Sequence, residues 1–152
     1  MRPMMTIGLA FTENDHAVLM VKKTHPRWQA GRLNGVGGRG EPGEQPLDCV
    51  VREFAEETGR HVAPALWRHV VREIGPDYDL HAYMTRVSSP TKFPRVNDVG
   101  ETLKWIRVDE LRAHRHSMIG NLQWIVPMAL DWRSLDPVTV CARDSIKERA
   151  SW

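Results

Sequence analysis

Glu53, Glu56 and Glu57 stand at i, i+3 and i+4. On a helix this spacing puts three carboxylates on one face. Like charges repel there, and toward the C-terminal end of a helix the backbone dipole disfavours anions. The fold gains nothing from the arrangement. A hard divalent cation such as Mg²⁺ removes the penalty, because it takes oxygen ligands and shares carboxylates with substrate phosphates. The plainer explanation is that glutamate forms helices well on a solvated face. That suffices for one Glu-Glu pair, but not for a trio at fixed spacing from Arg52, Glu44 and a run of glycines.

A helix from Pro46 to Thr58 would carry the trio. Proline suits the first turn and Gly59 the position just past the end. Leu47, Val50, Val51 and Phe54 recur at helical spacing and would face the core, roughly opposite the acids. Before the helix, residues 24–43 hold six glycines, with little apolar periodicity. So long a loop in a compact domain signals function. Between His16 and Gly40 there is no Asp or Glu, yet Lys22, Lys23, Arg27, Arg32 and Arg39 occur there. Uncompensated cations on a glycine-rich loop leading to a helix suit a polyphosphate, with Lys23, Arg32 and Arg39 as the candidate contacts. A solvated basic loop or a nonspecific nucleic-acid patch is the alternative.

Two apolar runs, residues 4–11 and 17–21, predict an N-terminal β-hairpin. Further strands are expected at 70–74, 79–87 and 102–108, with a second long loop at 88–100. A second helix is expected over 122–130, with Pro127 in or near its first turns. Residues 136–152 allow an edge strand and a frayed tail. Strands and two helices without a βαβ rhythm predict an α+β fold, a mixed sheet flanked by helices, as one domain over residues 1–152.

The 152 residues include 41% hydrophobic and 26% charged, with net charge +2, an ordinary globular balance. Two cysteines are too few for a disulfide framework, so Cys49 and Cys141 are expected to be reduced thiols, and Cys49 a small hydrophobe within the helix. No run is long enough to span a bilayer or to serve as a signal segment. These features predict a cytoplasmic protein with no membrane partner. His114 and His116 have no partner cysteine or third histidine, and are expected to be polar loop residues.

Over residues 38–60, GRGEPGEQPLDCVVREFAEETGR, the chain resembles the Nudix hydrolase family. Gly38, Glu44, Arg52, Glu53, Phe54, Glu56, Glu57 and Gly59 fall on the family's box. At average residue usage, seven fixed matches arise by chance on the order of 10⁻⁹ per starting point. Arg60 departs from the box, which prefers an aliphatic residue there. The resemblance implies an α/β/α sandwich and Mg²⁺ (or Mn²⁺) held by Glu53, Glu56, Glu57, Glu101 and Gly38. It implies proton transfer by Glu56 or Glu101, and an Arg52 that orients a carboxylate such as Glu44. It also implies a small-molecule nucleotide as partner, and beside the carboxylate helix a nucleic-acid partner is not expected. The oligomeric state is left open.

The likeness extends over roughly residues 4–130. The loop around Asn34 is similar to that of enzymes that hydrolyse oxidised purine nucleoside triphosphates. By that resemblance Asn34 reads a purine edge, although Asn34-Gly35 is also a favoured turn pair. Asn121 falls where those relatives carry an acidic base-reading residue, which weakens strict oxidised-purine selectivity. Trp124 and Trp28 could stack on a base, although a Trp in an apolar helix is more often part of the core. The expected reaction is hydrolysis of a nucleoside triphosphate, a purine and in the finest reading 8-oxo-dGTP-like, to a monophosphate and pyrophosphate. Alternatives are a dinucleoside polyphosphate, for which Tyr78 is the pointer, another nucleoside diphosphate-X, or a non-catalytic module that senses nucleotides or binds nucleic acid. The context of Pro76 does not match ADP-ribose hydrolases, and the element that marks coenzyme A hydrolases is absent.

Overall fold

The computed structural model describes residues 1–131 and 136–147. Seven strands make one mixed sheet: β1 (Met4–Thr12), β2 (Ala17–Lys22), β3 (Leu33–Asn34), β4 (Arg68–Ile74), β5 (Asp79–Val87), β6 (Thr102–Arg107) and β7 (Val138–Cys141). Helix α1 spans Pro46–Thr58 and α2 Leu122–Asp131. The strands run in the order β3-β2-β1-β5-β4-β7, with β6 paired to β2. β1 and β5 are parallel over their full length, Met4↔Asp79 through Thr12↔Val87, whereas β4 and β5 are antiparallel.

Alternation along the strands explains the two layers. Ile7, Leu9 and Phe11 of β1, Val18 and Met20 of β2, and Leu80, Ala82 and Met84 of β5 join the core under α2. Ala10, Leu19, Val21 and Tyr83 point the other way and join Val50 and Phe54 of α1. A sheet apolar on both faces must be covered on both. The result is the mixed sheet between helices that the sequence implied.

Several expectations are corrected in detail. The 24–43 loop is not free of structure. It contains β3, and it lies antiparallel along β1 through bridges Gly8↔Val36 and Met5↔Arg39. β6 stops at Arg107, because Val108 opens a 3₁₀ turn that runs to His114. Pro127 lies inside α2, within its second turn and so near the first turns as expected; its missing N–H is tolerated because the residue is exposed on a short helix. The edge strand anticipated in 136–152 is β7, parallel to β4, and residues 148–152 of that tail fall outside the described part.

Candidate active site

Pro46 stands at the start of α1, and Gly59 closes the helix with φ 70°, a left-handed conformation that favours glycine. Val50 and Phe54 are buried while Leu47 and Val51 pack at the edge, so the predicted stripe faces the sheet. The remaining face carries the acids. Arg60, where the box prefers an aliphatic residue, places its guanidinium 5.0 Å from the Phe93 ring centroid. Stacking thus replaces the missing aliphatic packing.

Arg52 organises one end of the acidic face. Its Nε donates to Glu44 Oε1 at 2.8 Å and its Nη2 to Glu44 Oε2 at 3.0 Å, a bidentate pair. Its Nη1 donates to Glu53 Oε1 at 2.8 Å and to Glu56 Oε2 at 3.2 Å. The Arg52 hydrogen bonds hold the Glu44 carboxyl down at about 2, and the Arg52 guanidinium is raised in turn, chiefly by Glu44.

Glu53 leans on the glycine loop. A β-carbon at Gly38 would lie 2.6 Å from the Glu53 carboxylate, so only glycine lets this carboxylate approach the backbone. The Gly38 carbonyl accepts the Thr6 N–H at 2.8 Å. Burial raises the Glu53 pKa, and pushes that of Glu57 up to about 7, with Glu53, Glu101 and Glu56 adding repulsion. Glu57 Oε2 is buried without a hydrogen-bond partner. Such an atom is an acceptor left without a donor.

Lys23, just past the end of β2, bridges α1 to the other side. Its Nζ stands 3.1 Å from Glu101 and 3.9 Å from Glu57. Glu101 is only 1% exposed and also accepts from the Thr24 N–H at 2.7 Å and the Thr24 hydroxyl at 3.3 Å. Burial would raise its pKa, but Thr24 and Lys23 more than offset that and lower it. With the carboxylates tied to Arg52 and Lys23, no three His, Cys, Asp or Glu among the described residues form a ready metal cage. That includes His114 and His116.

Glu53, Glu57, Lys23, Gly38 and Arg39 line one cleft of about 500 Å³ together with Asn34, Asn121 and Trp28. This volume suits a small ligand. Asn34 Nδ2 donates to Gln29 Oε1 at 3.0 Å and its Oδ1 accepts the Gly35 N–H at 2.8 Å. Asn121 Nδ2 donates to Glu73 at 3.1 Å.

The other predicted site residues lie elsewhere. Glu56 is exposed and held by Arg52, and Glu101 stands behind Lys23. Arg32 and Trp124 do not line the cleft. Arg32 turns with the loop, where its N–H meets the Gln29 carbonyl. Trp124 flanks the buried stripe Leu122, Ile125, Val126 and Ala129, so helical periodicity packs it against the core instead. Tyr78 is 1% exposed and donates to Glu73 at 2.8 Å, which removes it as a cleft residue. Sequence reasoning missed Gln29, buried in the cleft wall, and Ile146, which reaches the cleft from beyond β7. It also missed Glu73, whose signal was a lone acid two positions after the buried Val71.

A family model described as NUDIX domain matches residues 2–125. Among solved structures, a MutT protein from Bacillus halodurans is similar at TM-score 0.70 and 22% identity, over 93% of this chain and 90% of that one. A MutT protein from work on Aliivibrio salmonicida and Vibrio cholerae gives TM-score 0.69 and 17% identity, over 87% and 100%. A bifunctional NMN adenylyltransferase/ADP ribose pyrophosphatase from Francisella tularensis gives 0.72 and 17%, over 86% of this chain and 41% of that one. The structural likenesses establish the fold, and the family model covers most of the chain: the chain belongs to the NUDIX domain family.

Proposed function

We propose that the protein hydrolyses a purine nucleoside triphosphate, with a divalent cation, to the nucleoside monophosphate and pyrophosphate. One observation carries this reading. Glu53 and Glu57 line the same 500 Å³ cleft as Asn34 and Asn121, so a diphosphate and a base can be held at once. Lys23 and Arg39 supply positive charge between them.

The residues fit a divalent metal. Glu57 carries a buried oxygen without a partner, the donors are hard carboxylate oxygens, and glycine at position 38 leaves room against Glu53. Glu53, Glu56 and Glu57, with Glu101 and the Gly38 carbonyl, would hold it. When bound, Mg²⁺ or Mn²⁺ neutralises phosphate charge and lowers the pKa of water. The chain's own residues do the rest. Arg52 fixes Glu44, Glu53 and Glu56 relative to one another. Lys23 leaves its carboxylates and offers its ammonium to a phosphate. Glu56, open to water, is better placed than the enclosed Glu101 to take the proton from the attacking water.

Burial of Tyr78 removes support for a dinucleoside polyphosphate substrate. Two free thiols, Cys49 and Cys141, support a reducing, cytoplasmic setting, and among the described residues no helix is long and apolar enough to cross a membrane. The test is product analysis with ordinary and oxidised purine nucleoside triphosphates, pyrimidine counterparts and ADP-ribose. Monophosphate and pyrophosphate should form fastest from a purine triphosphate. Faster cleavage of ADP-ribose would overturn the substrate assignment.

A further inference from the structure

Glu73 of β4 is wholly buried, an expensive position for a carboxylate unless it is hydrogen-bonded. Its Oε1 accepts the Tyr78 hydroxyl at 2.8 Å and its Oε2 accepts Asn121 Nδ2 at 3.1 Å. Asn121 precedes α2 and is itself 5% exposed. A carboxylate offers acceptors only, so it dictates which way the Asn121 amide faces. The NH₂ group must turn to Glu73 and the carbonyl away from it. That carbonyl, Asn121 Oδ1, is buried and has no hydrogen-bond partner. An orphaned buried acceptor calls for a donor, and the open space beside Asn121 is the cleft.

We infer that Glu73 is a positioning residue for base selection: it locks Asn121 so that the cleft presents an acceptor and selects a base whose edge offers an N–H there. The amide and amino edge of a guanine-type base meets this requirement, whereas an unsubstituted purine ring does not. The inference rests on the cleft being a nucleotide site and adds the polarity of its base end. Tyr78 takes part by holding the second oxygen of Glu73, which leaves Oε2 for Asn121. Replacing Glu73 by glutamine puts an NH₂ group among these atoms. The new amide can face Tyr78 or Asn121 either way round, and the lock is lost.

The test compares binding of two monophosphates by calorimetry: guanosine monophosphate, and purine riboside monophosphate, which lacks both the exocyclic amino group and the ring N–H. The wild type should prefer guanosine monophosphate by about tenfold or more, the scale of one unpaired buried polar group. In Glu73→Gln the ratio should fall to within about twofold, mainly through weaker guanosine binding. A purely structural Glu73 would instead weaken both ligands alike and leave the ratio unchanged, which would overturn the inference. If that variant does not fold, nitrogen NMR of the wild-type Asn121 side chain decides. Its NH₂ protons should stay protected from exchange with and without guanosine monophosphate; a transfer of that group to the ligand would overturn the inference. Binding of both ligands without preference sinks this inference alone, while binding of neither sinks the nucleotide reading as well.

Discussion

Arg52 holds Glu44 through two parallel hydrogen bonds, Nε to Oε1 at 2.8 Å and Nη2 to Oε2 at 3.0 Å. The remaining Nη1 is thereby aimed back along α1 at Glu53 and Glu56. A residue from the loop before the helix thus fixes the spacing of carboxylates on the helix. Lysine has no planar fork and cannot reproduce this. Arg52→Lys should lose about 1.5–3 kcal/mol of stability in urea unfolding, the scale of hydrogen bonds to a charged group. Turnover should fall by more than about tenfold, because Glu53 and Glu56 are no longer registered. Unchanged stability and turnover would remove Arg52 from the account.

Glu56 and Glu57 are adjacent in sequence but differ in setting. Glu57 is enclosed, with its pKa pushed up to about 7 by burial, whereas Glu56 is exposed. Glu56→Gln and Glu57→Gln should each cut turnover by at least about a hundredfold, the scale of lost acid–base or metal chemistry. Their melting behaviour should differ. Without metal at neutral pH, Glu57→Gln should melt higher than wild type because a desolvated, repelled charge is gone, and Glu56→Gln should melt close to wild type. Near-normal turnover in both would mean that the acids are only a solvated helix face.

Much of this was legible in the sequence, for identifiable reasons. The trio, Arg52 and Gly38 sit at fixed spacing on one helix and its loop, and local periodicity exposes such patterns. The path of the 24–43 loop was not legible, since its pairing with β1 through Val36 and Arg39 depends on a strand far away in sequence. Trp124 shows a choice the sequence leaves open: its type allowed stacking on a base or packing in the core, and the stripe formed by Leu122, Ile125 and Val126 places it against the core. Glu73 and Gln29 matter through partners 48 and 5 residues away, and only the fold brings the former pair together.

Asn34 joins the cleft wall while bonded to Gln29 and Gly35. Asn34→Ala should lose purine-over-pyrimidine discrimination, at a cost of about 1–3 kcal/mol for the preferred substrate. A poor pyrimidine substrate should turn over much as before. Equal slowing of all substrates, with a lower melting temperature, would make Asn34 a turn residue only.

His69 and His81 lie on the α1 side of the sheet, 3.2 Å apart between ring nitrogens, and His69 stacks on Tyr83. Burial pushes the His69 pKa down to about 4 and lowers that of His81. Between pH 6.5 and 4 the two histidines therefore bind more protons in the unfolded chain than in the folded one, a contribution that lowers stability as pH falls, whereas the raised pKa of Glu57 contributes the opposite between about pH 7 and 4.5. Denaturant midpoints measured from pH 7 to pH 4.5 report the sum, so the histidine contribution is read from the difference between variants. Relative to wild type, His69→Gln should gain stability as pH falls through that window, and an identical slope would show that His69 does not contribute to the acid sensitivity.

Product formation from a purine nucleoside triphosphate, followed with Mg²⁺ and then with excess chelator, tests the central claim most directly. The account predicts monophosphate and pyrophosphate in equal amounts with the metal, loss of both in chelator, and recovery when Mg²⁺ or Mn²⁺ is restored. Undiminished turnover in excess chelator, or release of inorganic phosphate in place of pyrophosphate, would contradict it.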